Sequence, residues 1–303
     1  MRKEKILFAG KLVDAADAKV HILAPALQYA AVVFEGMRAY WSEERGQLFL
    51  FRYKEHIERL ELSMKMMRLE RPAAMETLKE DVLSLVHENA LKEDCHLRVF
   101  TLLDGPPNIT ATGPTFMAVT AGPFQPNAFM EKGMKAVVSS WHRIADTASP
   151  PRIKTIANYV NGRLAAMQAK HDGYDAPIML TDAGYVSEGP QANILMVREG
   201  RVVAPRRTDG ILESITRNTL LQLCREELAI ETEERAVDRS ELYAADELFY
   251  CGSGWEIRPV TSVDGIPVGD GRVGPLTHRI ADGYFDCVRG KNSRYEDWLT
   301  PVW

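Results

Sequence analysis

The 303-residue chain lacks the features that mark several large protein classes. No stretch approaches the roughly 18 uninterrupted apolar residues that a membrane-spanning helix needs. The four cysteines, Cys95, Cys224, Cys251 and Cys287, lie far apart with no CxxC pair. They therefore read as reduced thiols of a cytoplasmic protein, not as disulfides or metal ligands. Seven histidines form no HxxxH or similar cluster, so no metal site is expected. Positive charge is not in excess: 37 Lys and Arg stand against 42 Asp and Glu, a net charge of −5. That balance argues against a nucleic-acid or anionic-membrane partner. The start, Met1-Arg2-Lys3-Glu4-Lys5-Ile6-Leu7-Phe8, is basic, but its apolar run stops at once, and no secretory signal is expected. Repeats and low-complexity tracts are also missing.

What remains is ordinary globular composition, 46% apolar and 26% charged, at a length that suits one large or two medium α/β domains. Gln47–Phe51 reads as a strand, and Ile57, Leu60, Met64 and Met67 recur at helical spacing through 53–68. Met64, Met66 and Met67 are read as a packed helix face, not a soft metal box. Further helices are expected over 74–89, 157–170, 216–228 and 274–288. Strands are expected at 97–102, 135–141 and 247–250, with a run of short strands over 176–201. The last run turns at Asp182-Ala183-Gly184 and at Glu199-Gly200, the second placed like a hairpin turn. Ala121-Gly122-Pro123-Phe124-Gln125-Pro126-Asn127 is rich in turn residues. The expected organisation is a smaller N-terminal α/β domain over 1–120, a linker over 121–132, and a larger C-terminal domain over 133–303 with a strand-rich core.

Four segments carry possible chemistry. Lys154 sits in Pro151-Arg152-Ile153-Lys154-Thr155-Ile156-Ala157-Asn158-Tyr159, ahead of a helix. A lysine forms imines only when an aldehyde is held beside it and its charge is suppressed, and most lysines are solvated surface groups. Glu188 lies in Gly184-Tyr185-Val186-Ser187-Glu188-Gly189-Pro190-Gln191-Ala192-Asn193, where an exposed loop glutamate is the plainer reading. Ile211-Leu212-Glu213-Ser214-Ile215-Thr216-Arg217 opens a helix whose free N–H groups suit a phosphate, although Ser214 or Thr216 could simply cap it. Cys251-Gly252-Ser253-Gly254 follows a strand with small residues that let an anion approach the backbone.

In this order the segments resemble the class IV (fold type IV) aminotransferases, most closely the branched-chain amino-acid aminotransferases. The resemblance covers nearly the whole chain. It includes Asp17-Ala18-Lys19-Val20-His21, Phe34-Glu35-Gly36-Met37-Arg38, Glu55-His56-Ile57-Glu58-Arg59-Leu60 and Val263-Asp264-Gly265-Ile266-Pro267-Val268-Gly269. It implies a pyridoxal 5'-phosphate enzyme in which Lys154 carries the cofactor as an imine and shuttles the proton. It further implies that Glu188 pairs with the pyridine nitrogen and Tyr159 reaches the ring oxygen. Arg59, Ser253 and the N–H groups of Ile215 and Thr216 would bind the phosphate, with Leu212 packed on the ring. Tyr29, Phe34, Gly36, Arg38, Arg98, Gly254 and Trp255 match positions near the substrate. A homodimer or larger assembly is implied as well, with residues borrowed from the neighbouring subunit.

Three departures from the family pattern stand out. Leu212-Glu213-Ser214-Ile215-Thr216-Arg217 replaces Leu-Pro-Gly-Ile-Thr-Arg, Cys251-Gly252-Ser253-Gly254-Trp255-Glu256 replaces Gly-Thr-Ala-Ala-Glu, and His96-Leu97-Arg98 replaces Tyr-x-Arg. The second and third touch substrate binding. They leave open whether the amino donor is a branched-chain L-amino acid exchanging with 2-oxoglutarate, or a D-amino acid or (R)-amine. A lyase of the aminodeoxychorismate type and a binding protein that kept the fold are weaker alternatives. Trp255 either reshapes the carboxylate end of the pocket or packs away in the core.

Overall fold

A computed structural model describes residues 4–124 and 128–303. The first three residues of the basic start and residues 125–127 of the expected linker lie outside the described residues. The described chain groups into two units. One holds 4–124 with Ile153–Ala157 and Val288–Trp303, and the other holds 128–152 with Asn158–Cys287.

In the first unit the β-branched and aromatic runs form strands and the Leu- and Met-spaced segments form helices, as their side-chain periods require. Its elements are β1 (Lys5–Phe8), β2 (Lys11–Asp14), α1 (Pro25–Gln28), β3 (Val32–Ser42), β4 (Gln47–Phe51), α2 (Tyr53–Met66), α3 (Leu78–Glu88), β5 (Cys95–Leu103) and β6 (Thr115–Pro123). They build a seven-stranded sheet in which a last strand, Leu299–Pro301, is followed by β4, β3, β5, β6, β1 and β2. β3 and β5 run antiparallel with Phe34 opposite Phe100, Gly36 opposite Arg98 and Arg38 opposite His96. Alternation then sorts β3 into two faces. Val33, Met37 and Ala39 pack with Leu60 and Met64 of α2 and with Leu78, Val82 and Leu85 of α3. Phe34, Gly36 and Arg38 lie on the other face.

The expected helix over 74–89 begins later, at Leu78. Ala73–Met75 forms a separate 3-10 turn, and Thr77, at φ −107° and ψ 6°, leaves helical geometry between them. The chain also continues past its last long helix. Trp298 stacks on Tyr295 and lies under the Arg52 guanidinium, and Leu299–Pro301 pairs with β4.

The second unit contains α4 (Phe129–Lys132), β7 (Met134–Val138), α5 (Asn158–His171), β8 (Ala176–Ile178), β9 (Asn193–Arg198), β10 (Arg201–Ala204), α6 (Ile215–Glu226), β11 (Thr232–Glu234), β12 (Glu247–Gly252), β13 (Glu256–Val263), β14 (Ile266–Pro267) and α7 (Pro275–Val288). Its eight-stranded sheet runs β11, β10, β9, β12, β13, β7, β8, with β14 paired to β13. Glu199 and Gly200 both take positive φ, 52° and 75°, in the tight turn that joins β9 to β10. β7 stops at Val138, short of the expected end at 141, because the Trp141 N–H bonds to Ser139 Oγ and curls the chain. The core of this unit includes Met134, Ile178, Ile194, Met196, Leu248, Tyr250, Trp255 and Val260.

Candidate active site

Residues 153–157 lie along β3 as a short strip, and this fixes Lys154 in the first unit. Val33 and Thr155 form an antiparallel bridge, and Thr155 Oγ1 donates to the Val32 carbonyl at 2.7 Å. Both backbone groups of Lys154 are held: its carbonyl accepts the Phe34 N–H at 2.9 Å, and its N–H donates to Ser63 Oγ at 3.1 Å. Ser63 in turn donates to the Arg59 carbonyl one helical turn earlier, at 2.9 Å. The half-buried side chain ends with Nζ 5.0 Å from the centre of the Phe34 ring. A flexible side chain thus starts from a rigid backbone, and fewer of its conformations compete with the one that reaches its target.

Arg59 is fixed from the opposite face of the sheet. Its Nε and Nη2 donate to the two oxygens of Glu35 at 2.7 and 2.8 Å, and His56 Nδ1 lies 2.7 Å from Glu35 Oε2. Glu35 is fully buried. Burial opposes its charge, but Arg59 and His56 outweigh it and hold the carboxyl well below the usual carboxylate range. His56 is held neutral chiefly by burial. Its Nδ1 then carries the proton, since an ionised carboxylate can only accept.

The Phe34 face of the same sheet gathers cations. Arg98 lies 5.9 Å from the Phe34 ring, Phe34 stacks on Phe100 with 5.8 Å between centres, and Arg38 is buried one pair further along β3. Gly36 stands between Phe34 and Arg38. A Cβ there would come within 3.1 Å of His96 Nε2, so the missing side chain is what lets the imidazole lie across the strand. Tyr29 ends α1 and is 42% exposed.

In the second unit Glu188 is the organising group. Arg143 Nε lies 2.9 Å from its Oε1, while Asn193 Nδ2 and the Leu212 N–H donate to Oε2 at 2.6 and 3.2 Å. Arg143 also donates to the Gly210 carbonyl at 3.1 Å. A Cβ on Gly210, whose φ is +73°, would crowd Arg143 Cγ at 3.3 Å. Asn193 Nδ2 reaches the Leu212 carbonyl as well, so this stretch is tied to Glu188 through both backbone groups of Leu212. Two residues on, Ser214 caps α6 by accepting the Arg217 N–H. The N–H groups of Ile215 and Thr216, both residues buried, have no hydrogen-bond acceptor among the described residues. A helix start with free, buried N–H groups is an anion site.

Tyr159 stands in the first turn of α5. The start of that helix is tied by Asn158, whose amide donates to the Pro150 carbonyl at 3.0 Å. Ser253 and exposed Gly254 form the turn after β12, and Trp255 closes it with its N–H on the Gly252 carbonyl at 3.0 Å. The indole is 8% exposed in the unit's core, edge-on to Tyr250 at 5.2 Å. The cysteines are all buried. Burial pushes the thiols of Cys95, Cys224 and Cys251 up to about 12, which leaves them un-ionised at neutral pH.

The first unit therefore brings Lys154, Phe34, Gly36, Arg38 and Arg98 to one face, with Arg59 on α2. The second gathers Glu188, Leu212, Ile215 and Thr216, and carries Tyr159, Ser253, Gly254 and Trp255 on neighbouring elements. Five supporting residues received no role from the sequence: Glu35, His56, Ser63, Arg143 and Asn193. Glu35 and His56 lie inside the quoted motifs, and a buried carboxylate placed just before Gly-x-Arg offers a weak signal. Ser63 and Arg143 offer none, since their partners lie 91 and 45 positions away.

Comparison with known proteins identifies the family. A family model described as amino-transferase class IV matches residues 32–263. A probable branched-chain-amino-acid aminotransferase of Aquifex aeolicus is 39% identical over 299 residues, which cover 98% of this chain and 96% of that protein. The branched-chain amino acid aminotransferase of Thermobaculum terrenum in its PLP form superposes with a TM-score of 0.93 at 36% identity, covering 99% of each chain. The branched-chain aminotransferase of the thermophilic archaeon Thermoproteus uzoniensis, solved with norvaline, gives 0.93 at 39% identity, covering 100% of each. The chain belongs to the class IV aminotransferases, within their branched-chain amino-acid aminotransferase family, and is a pyridoxal-phosphate-dependent transaminase.

Proposed function

We propose that this transaminase moves the amino group between a branched-chain L-amino acid (leucine, isoleucine or valine) and 2-oxoglutarate. The observation that carries the reading is the setting of Lys154: an amine on a doubly held backbone, on the face that also bears Arg38 and Arg98. Such a face suits substrates that join a reacting amino or keto group to a carboxylate.

The residue set suits pyridoxal phosphate. The support is the pair of buried, unaccepted N–H groups at the start of α6 and a carboxylate, Glu188, held in place by Arg143. By the family resemblance, Arg59, Ser253 and the Ile215 and Thr216 N–H groups would hold the phosphate, Glu188 would pair with the pyridine nitrogen, Tyr159 would reach the ring oxygen and Leu212 would pack on the ring. When bound, the cofactor supplies an aldehyde for amines and a sink for electrons released at the substrate Cα. Lys154 Nζ takes the Cα proton and returns it on the other side of the exchange. Arg143 Nε, 2.9 Å from Glu188 Oε1, holds in place the carboxylate that would pair with the pyridine nitrogen. By the same resemblance the turn at Gly254 would help hold the substrate carboxylate, although its Trp255 N–H is already given to the Gly252 carbonyl, and Phe34 and Gly36 would border the aliphatic side chain.

The protein works as a homodimer or larger assembly. Supporting this, α5 exposes Val160, Leu164 and Met167 at helical spacing, and Ile22, Leu23, Leu27 and Tyr29 are exposed around α1. Soluble monomers rarely leave such stripes open.

The decisive experiment is a donor panel on the purified, cofactor-loaded protein. L-leucine, D-alanine and (R)-1-phenylethylamine serve as donors, with 2-oxoglutarate and pyruvate as acceptors. Turnover of L-leucine with 2-oxoglutarate is expected, and turnover confined to the chiral amine or D-alanine would overturn the substrate assignment. Loaded protein should be yellow, and borohydride should bleach the yellow and leave the cofactor covalently attached through Lys154. Lys154→Ala should abolish exchange, and full turnover in that variant would move the reacting amine elsewhere.

A further inference from the structure

His96 is out of place among its neighbours. It stands where the family pattern has a tyrosine, and it faces positive charge from several elements. Arg38 reaches it from β3, Arg98 from β5 and Lys154 from the 153–157 strip, while the neutral His56 stands on α2. On the β6 side its partner is Gly122, which brings no titratable group. Beyond that strand is one carboxylate, Glu4, whose Oε1 would stand 3.9 Å from a Cβ on Gly122. Glu35, on the far face of β3, is taken up by Arg59 and His56. The half-buried ring lies over Gly36 and has no hydrogen-bond partner among the described residues.

We infer that His96 is a specificity-determining residue of this face: it donates a ring N–H to a dicarboxylic acid and takes up a proton as that acid binds. The inference rests on the transaminase reading, in which one half of the cycle binds a dicarboxylate and the other a branched-chain monocarboxylate. Geometry supplies the donor, an imidazole with both nitrogens unengaged, placed within the field of the cations that would attract carboxylates. Electrostatics supplies the proton. Burial first, and then Arg38 and Arg98, push the imidazole down to about 4. A monoacid brings one negative charge into this field and a diacid brings two. The diacid therefore cancels more of the repulsion and raises the basicity of the imidazole further. The proton comes from solvent to the open ring nitrogen, and both carboxylates stay ionised throughout. A tyrosine in the same place would donate one hydrogen bond at every working pH and couple nothing. In this chain, lower pH thus strengthens the dicarboxylate half of the cycle relative to the branched-chain half.

The sign follows from linkage. A value raised on binding makes affinity greatest below the free-state value, and affinity falls as pH rises from there through the bound-state value, by up to about ten-fold per unit. The test uses the cofactor-loaded enzyme and two unreactive acids, glutarate and 4-methylvalerate, between about pH 5.5 and 8. Titration calorimetry in two buffers of different ionisation enthalpy counts the protons taken up by the wild type. Glutarate is expected to bind with proton uptake and to tighten as pH falls, while 4-methylvalerate changes less. His96→Gln, which can donate but cannot titrate, should flatten the glutarate profile. Glutarate binding by the wild type without proton uptake overturns the proposal, as does an unchanged slope in His96→Gln. If that variant does not fold, the wild-type proton count decides alone. A wild-type protein that never takes up pyridoxal phosphate would overturn the transaminase reading itself, and the proposal with it.

Discussion

At the scale of single residues, the chemistry of this protein depends on groups that are costly to bury and are therefore paired. Glu35 is a carboxylate with no solvent contact that keeps its charge because Arg59 grips both oxygens and His56 donates to one. Glu35→Gln should leave Arg59 without its counter-charge and cost roughly 3–5 kcal/mol of stability, read from the urea midpoint. The same variant should weaken cofactor binding in a fluorescence titration, because the guanidinium fork is no longer aimed. A loss of stability with unchanged cofactor affinity would refute the aiming role. The pH dependence has a definite sign. Because Glu35 is depressed in the folded state, its stabilisation is complete above the unfolded carboxylate value of about 4.3 and is lost only as pH falls below it. His56 and His96 are also depressed, the latter to about 4. Their stabilisation is present above the unfolded value of about 6.5 and is lost as pH falls from there. Each can contribute a slope of up to about 1.4 kcal/mol per unit. Denaturation at pH 7 and pH 5 should therefore show the apo protein weakening on the acid side, and a flat profile would contradict the buried, neutral histidines.

At the scale of elements, helix ends carry much of the local specification. Glu247 is buried at the start of β12, where it accepts the N–H groups of Leu276 and Thr277 at 2.9 and 2.6 Å and the Thr277 hydroxyl at 2.6 Å. It caps α7 across a separation of 29 or 30 residues, and Gly274 leaves the room, since a Cβ there would strike the carboxylate. Glu247→Ala should cost about 2–3 kcal/mol by leaving buried donors unmet, measured as a fall in denaturation midpoint with little change in substrate affinity. Elements of clear period were legible: β4 and α5 lie within a residue of the expected bounds, and α6 within two. The 11-residue β3 gave no alternation to read, because all but one of its residues are buried. A strand covered on both faces looks like any apolar run.

At the scale of the whole molecule, the exposed Val160, Leu164 and Met167 call for a partner surface. Light scattering of the purified protein should give a mass of at least twice 34.0 kDa. Leu164→Glu with Met167→Glu should shift it toward the monomer, and a wild-type monomer at micromolar concentration would contradict the assembly. Lys154, Glu188 and the Ile215–Thr216 pair were visible in sequence because each sits beside a turn or helix start of recognisable composition. Their supports were not. Ser63 meets Lys154, Glu35 meets Arg59 and Arg143 meets Glu188 only after distant strands and helices have paired, and nothing in a local window records those pairings.

Lys154 shows the division most clearly. The sequence by itself determined the segment, its small and β-branched neighbours, the helix that follows and the resemblance that points to an imine-forming lysine. Those properties follow from local composition and order, which need no folding to exist. Tertiary structure decided that residues 153–157 leave the second unit to lie along β3, and that Lys154 is held by Phe34 on one side and Ser63 on the other. It also decided that the charge around His96 is nearly all positive. Hydrogen bonds and Coulomb fields depend on distance in space, and only the paired sheet fixes that distance.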